Sequence, residues 1–257
     1  MLFSITLLTS LLFSFTYPLV FWISAKEPLK NNFHRFHIGL PTVTGVITLI
    51  FVIRMALSPL LTTLSIIWIF GSLALTGYYW NKETVNLVYV TVLSILGLCI
   101  TGYVQTALTG FGYAALAVSI LGGLIFSSSL YAMNLGHWYL NVHGLPLKHL
   151  RSAMYLFWGL VLTRFLWDLF YIFSNHVMYQ GDLIRVFDFI RTMEGFLLLI
   201  PFFFGTVLPL FALFMVHEIL KLKNTQAATG ILYVILCGVV LGDMAYKYYF
   251  IKFGILL

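Results

Sequence analysis

Apolar residues run along this chain in long stretches, and only a few polar residues interrupt each one. About 20 consecutive apolar residues are needed to cross roughly 30 Å of hydrocarbon. Eight stretches reach that length, at approximately 2–24, 38–58, 61–80, 85–105, 112–140, 151–174, 191–220 and 227–253. Between them stand short polar punctuations such as KEPLKNNFHRFH, NKET and KLKNTQ. The pattern predicts an all-α, polytopic membrane helix bundle of about eight transmembrane helices. Residues 1–257 form one transmembrane domain, because no connection is long enough to fold as a soluble unit. The longest connection, 175–190, runs into the amphipathic DLIRVFDFIR and is expected to lie along the membrane interface. The first stretch has no basic residue ahead of it and is longer than the apolar region of a signal peptide, so it is expected to remain as a helix.

Composition agrees with this reading and adds an orientation. The chain is 61% hydrophobic and 9% charged, where soluble domains carry roughly a quarter charged residues. Its net charge of +6 falls mostly at helix ends, which argues against a nucleic-acid partner. Lys26, Lys30, Arg35, Lys82, Lys148, Arg151, Lys221 and Lys223 follow the odd-numbered stretches, against Arg185, Arg191 and Lys252 on the other side. The lysine-rich side is expected to be cytoplasmic, which places both termini on the non-cytoplasmic side. Cys99 and Cys237 lie inside apolar runs and are expected to be buried, inert thiols. Gly123 and Ser127, four apart, predict a close helix contact. Pro201 and Pro209 predict a kink in the seventh helix.

Since each helical residue rises about 1.5 Å, sequence position converts to membrane depth. Arg54, Arg164, Asp168, Arg191, Glu194, Asp243 and Lys247 then share the outer third. Three of these helices carry opposite charges at i,i+3 or i,i+4, the spacing that sets side chains on one face. An ionised residue in the bilayer costs about 2.5–3.5 kcal/mol on insertion scales, so such groups should face one another or a wet cavity. One expectation is that the pairs only staple helices six, seven and eight together. The other is an outward-opening polar pocket, in which Arg54 or Arg164 donates to a carbonyl, carboxylate or lipid headgroup while a carboxylate handles protons.

At the opposite depth lie His137, His217 and Glu218, with His34 and His37 before the second helix and His143 and His149 after the fifth. His137 and His217 are candidate axial ligands of a b-haem, with Lys148, Arg151 and Lys221 placed for propionates. Being about one turn from the interface, they also read as interfacial histidines beside the aromatic anchors Trp138 and Tyr139. There is no P-loop, HExxH or GxSxG, no paired aspartate motif, and His34-x-x-His37 is too sparse for a di-iron site. An autonomous ATPase, metalloprotease or prenyltransferase is therefore not expected, and no catalytic residue is assigned.

The segment LGDMAYKYYFIKFG (241–254) resembles the Gly-acid-x-x-x-base ending of the last helix in NrfD/DmsC-type membrane anchors, the eight-helix quinol-interacting subunits of respiratory enzymes. Asp243 and Lys247 stand where that pattern has glutamate and arginine. LGHWYL (135–140) and ATGILYV (228–234) resemble segments of small bacterial membrane proteins, which implies a bacterial inner membrane. The resulting expectation is an integral membrane subunit of a respiratory or electron-transfer complex, not an enzyme on its own. It would bind a quinone or lipid-like ligand in the outer polar layer, with membrane lipids and further membrane or peripheral subunits as partners. The alternatives are a small transporter or channel using the same charges, a non-catalytic assembly subunit, and a b-haem protein. The absence of internal symmetry between the two halves lowers the transporter reading.

Overall fold

The computed structural model describes residues 1–24, 33–142 and 144–257, so Lys26, Lys30 and His143 lie outside the described residues. The main helices are α1 (Leu2–Thr16), continued by a 3₁₀ segment over Tyr17–Ile23, α2 (Phe33–Arg54), α3 (Pro59–Tyr79), α4 (Leu87–Thr109), α5 (Tyr113–Asn141) and α6 (Lys148–Ser174). A hairpin follows, β1 (His176–Tyr179) and β2 (Asp182–Arg185), then the single turns α7 (Val186–Phe189), α8 (Met193–Phe196) and α9 (Leu199–Phe202). A π-helical turn over Phe203–Val207 leads into α10 (Leu208–Lys221), and α11 (Thr225–Phe253) closes the bundle. Eight helical spans among the described residues are long and apolar enough to cross a membrane. This is a multi-pass membrane helix bundle.

α1 is its centre. Two-thirds of the first span is buried inside the protein (67%), against 28% of Pro59–Tyr79, which presents most of its surface outward. On one side α1 packs with α2 and α4 through Leu7, Leu8, Leu11 and Phe15, and Phe15 meets Trp68 of α3 edge to face. On the other it meets α5, which packs with α6 and α11 around Phe13, Tyr131, Met154, Phe157 and Ile235. Lipid tails are as apolar as leucine, so close contacts in such bundles depend on small and hydroxyl side chains. α1 supplies them: Ser10 to Thr48 at 3.1 Å, Ser14 to Thr44 at 2.7 Å and Thr16 to Ser127 at 2.8 Å. The Gly123/Ser127 expectation is met here, since a Cβ at Gly123 would lie only 3.1 Å from Leu12 Cβ and Thr16 Cγ2.

Residues 176–185, in the connection expected at the interface, form a hairpin, because Gln180 and Gly181 both take positive φ (54° and 95°) and reverse the chain in the manner of a primed two-residue turn. Two expectations are corrected. The second helix starts at Phe33 rather than 38, which draws His34 and His37 into its first turns and buries both. Cys99 and Cys237 are exposed on helix faces turned out of the bundle; an apolar run in a membrane helix does not distinguish the protein side from the lipid side. The irregularity expected at Pro201 and Pro209 in the seventh span takes the form of a π turn. Pro209 has no N–H to return to the Gly205 carbonyl, and the winding opens to the wider π register, with Leu208 N–H donating to the Phe203 carbonyl.

Candidate functional site

The π turn sets up the centre of the molecule. Its Gly205 lies against Gly242 of α11 so closely that a Cβ on Gly242 would fall 2.2 Å from Gly205 Cα. This approach aims Thr206 at α6 and α11. Thr206 Oγ1 lies 3.0 Å from Asp168 Oδ2, Tyr246 Oη lies 2.6 Å from the same oxygen, and the two hydroxyls are 2.8 Å apart. Asp168 is fully buried and Thr206 equally so.

Arg164 stands one turn before Asp168 on α6, with Nε 3.3 Å from Oδ1. Neither of those two atoms makes a well-formed hydrogen bond, so the pair interacts mainly as charge against charge. The guanidinium is otherwise well used. Nη1 donates to the Val118 carbonyl of α5 at 3.2 Å, Nη2 donates to the main-chain oxygen of Leu257, and the group lies 4.3 Å from the centre of the Tyr246 ring. On α11 the second predicted pair, Asp243 and Lys247, is formed and buried, and Thr9 of α1 approaches the same carboxylate oxygen at 3.5 Å. Gly122 keeps α5 out of the way, since a Cβ there would lie 3.2 Å from Asp243 Oδ1 and 3.8 Å from Arg164 Nη1.

Four of the seven residues of the outer layer are thus brought together: Arg164, Asp168, Asp243 and Lys247. The other three are not. Arg54 is exposed at the end of α2. Arg191 and Glu194 do not pair with each other, because Thr192 caps the turn between them and Arg191 falls outside it. Arg191 instead approaches Asp188 at 3.7 Å, and Glu194 binds Lys252 at 2.8 Å on the exposed rim. Sequence reasoning did not single out Thr206, Tyr246, Thr9 or Gly122. The signal for Thr206 was its place in the register change between Pro201 and Pro209; Tyr246, among 15 tyrosines, had none.

The inner histidines divide in the same way. His137 is exposed and its Nδ1 lies 3.3 Å from Tyr233 Oη of α11, while His217 Nδ1 lies 3.3 Å from Tyr155 Oη of α6. Each therefore has its own tyrosine, on a different helix. His34, His37 and His149 are the buried ones among the described residues, and His34 and His37 stand in an aromatic box with Phe21, Phe33 and Tyr131. Tyr17 and His37 Nδ1 are hydrogen-bonded there, as are Ser24 and Tyr131. Among the described residues, no group of three or more His, Cys, Asp or Glu side chains is placed to hold a metal ion.

Beside the charge cluster is a cavity of about 20 Å³ lined by Gly122, Arg164, Asp243, Tyr246, Lys247 and the 255–257 segment, and a second of about 10 Å³ reaches Gly205. The larger has room for a single water. Residues 254–257 cover it: Trp167 Nε1 donates to the Leu256 carbonyl at 2.8 Å, and Ile255 and Leu257 are buried. No family model, no curated protein and no solved structure matches this chain.

Proposed function

We propose that this multi-pass membrane protein is a subunit of an electron-transfer complex that binds a lipid-like molecule with a carbonyl head, of the quinone class, at the Arg164 centre. One observation carries the reading: a buried guanidinium gives its N–H groups to main-chain oxygens, those of Val118 and Leu257, beside a group of titratable side chains. A quinone head needs a donor at its carbonyl oxygen and a neighbour able to exchange a proton. Asp168, Thr206 and Tyr246 suit the second task. Their three oxygens lie 2.6–3.0 Å apart on every edge, and the two hydroxyls bring two hydrogens for three edges. The triangle therefore has a place for one further proton. The Gly-Asp-x-x-x-Lys ending of α11, which resembles that of quinol-interacting anchors, brings Asp243 and Lys247 to the same centre.

A cavity of about 20 Å³ does not admit a ring, so binding requires the main-chain oxygen of Leu257 to leave Arg164 and yield its place to the ligand. The same closure favours a second reading, an assembly subunit whose charges merely neutralise one another. Quinone extraction from the purified protein, together with titration of a short-chain quinone against tryptophan fluorescence, separates the two. The proposal expects bound quinone and a saturable change that is lost on Arg164→Leu with Asp168→Leu. A folded protein with no extractable quinone and no saturable change assigns the cluster to assembly.

A further inference from the structure

We propose that the groove between α2 and α3 binds an anionic phospholipid, its phosphate on Arg35 and an acyl chain running past Gly39 to Val43. The groove has a volume of about 540 Å³ and lies at the opposite end of the bundle from the Arg164 centre. Arg35 and Trp80 form its mouth, and Gly39, Val43, Leu73 and Thr76 form its walls. Arg35 to Val43 spans about 12 Å along the helix axis at the usual rise.

Three features select the ligand. The Arg35 guanidinium lies 4.6 Å from the centre of the Trp80 ring, and none of the ion pairs among the described residues involves it. A guanidinium held over an aromatic ring with no carboxylate partner has N–H groups to offer a phosphate. The groove's hydroxyls are already committed: Thr42 to Ser72 and Thr76, and Thr76 to the Ser72 carbonyl at 2.8 Å. The wall left to a ligand is therefore apolar and suits a hydrocarbon chain. Arg35 also lies at the end that carries Lys82, Arg151 and Lys221, the end whose basic bias predicts the cytoplasmic leaflet with its anionic lipids.

Native mass spectrometry of the full chain, purified in mild detergent and supplied with equal amounts of phosphatidylglycerol and phosphatidylcholine of the same acyl chains, tests the site. The protein is expected to retain the anionic lipid in preference. Arg35→Ala should cut that preference about five-fold, the worth of one basic residue near an anionic surface, and Arg35→Lys should keep most of it. Gly39→Leu adds a side chain on the groove wall, where the Cβ meets only Thr76 Cγ2 at 3.6 Å. It should lower retention of both lipids. Equal retention of the two lipids by the unmodified protein, an unchanged preference in Arg35→Ala, or full retention by Gly39→Leu each overturns the proposal. So does displacement of the lipid by millimolar glycerol phosphate, which would place the affinity in the headgroup alone.

Discussion

Tyr246 donates its phenolic hydrogen to Asp168 Oδ2 at 2.6 Å from a helix 78 residues further along the chain. This contact, more than the pairing with Arg164, satisfies the most deeply buried carboxylate among the described residues, because the Arg164 side of Asp168 lacks hydrogen-bond geometry. Replacing Tyr246 with Phe keeps the ring beneath the guanidinium and removes only the hydroxyl. The expected cost is about 1.5–3 kcal/mol, the range for a hydrogen bond to a charged group, read as a lower melting temperature in detergent. An unchanged melting temperature would mean that Thr206 alone satisfies Asp168.

The Arg164–Asp168 pair predicts an asymmetry between single and double replacement. Arg164→Leu leaves the buried Asp168 carboxylate without its ion-pair partner, and breaking one partner of a buried pair costs about 3–5 kcal/mol. Removing both with Asp168→Leu should recover most of the assembly, seen as a monodisperse band on a detergent gel. Quinone-dependent turnover of the same membranes should stay absent if the pair serves a ligand. Full turnover in the well-assembled double variant would leave the pair a structural role only.

Gly242 and Gly205 touch through their backbones, which seats the π turn directly on α11. Gly242→Ala should be expelled at a cost of at least about 1–3 kcal/mol for an overpacked core, detaching Thr206 from Asp168 as well. Gly230→Ala on the same helix meets nothing within 4 Å and is the control, expected to be neutral or slightly stabilising. Equal behaviour of the two variants in a thermal aggregation assay would show that α11 and the π turn do not need this approach.

Topology follows from the basic bias. A reporter inserted after Lys223 should be cytoplasmic, and one inserted at Gly181, in the hairpin tip on the opposite side of the sixth and seventh spans, should be external. If both report from one compartment, the span Met193–Lys221 does not cross the membrane and the depth assignment fails.

The sequence by itself determined the number of spans, their approximate positions and two of the charge pairs. These are one-dimensional properties: length against bilayer thickness, and the i,i+4 geometry of a single helix. Arg164 with Asp168 and Asp243 with Lys247 were legible for that reason, and so was a break near Pro201 and Pro209. Only the tertiary structure decided that the two pairs share a centre, that Arg54, Arg191 and Glu194 stay away from it, and that Thr206 and Tyr246 complete it. It also decided that His34 and His37 are enclosed while His137 faces outward. The physical reason is the solvent. In water, hydrophobic periodicity marks the buried face of a helix, but in lipid both faces are apolar, so helix rotation and partner choice are left to packing of small residues and to hydrogen bonds between distant segments.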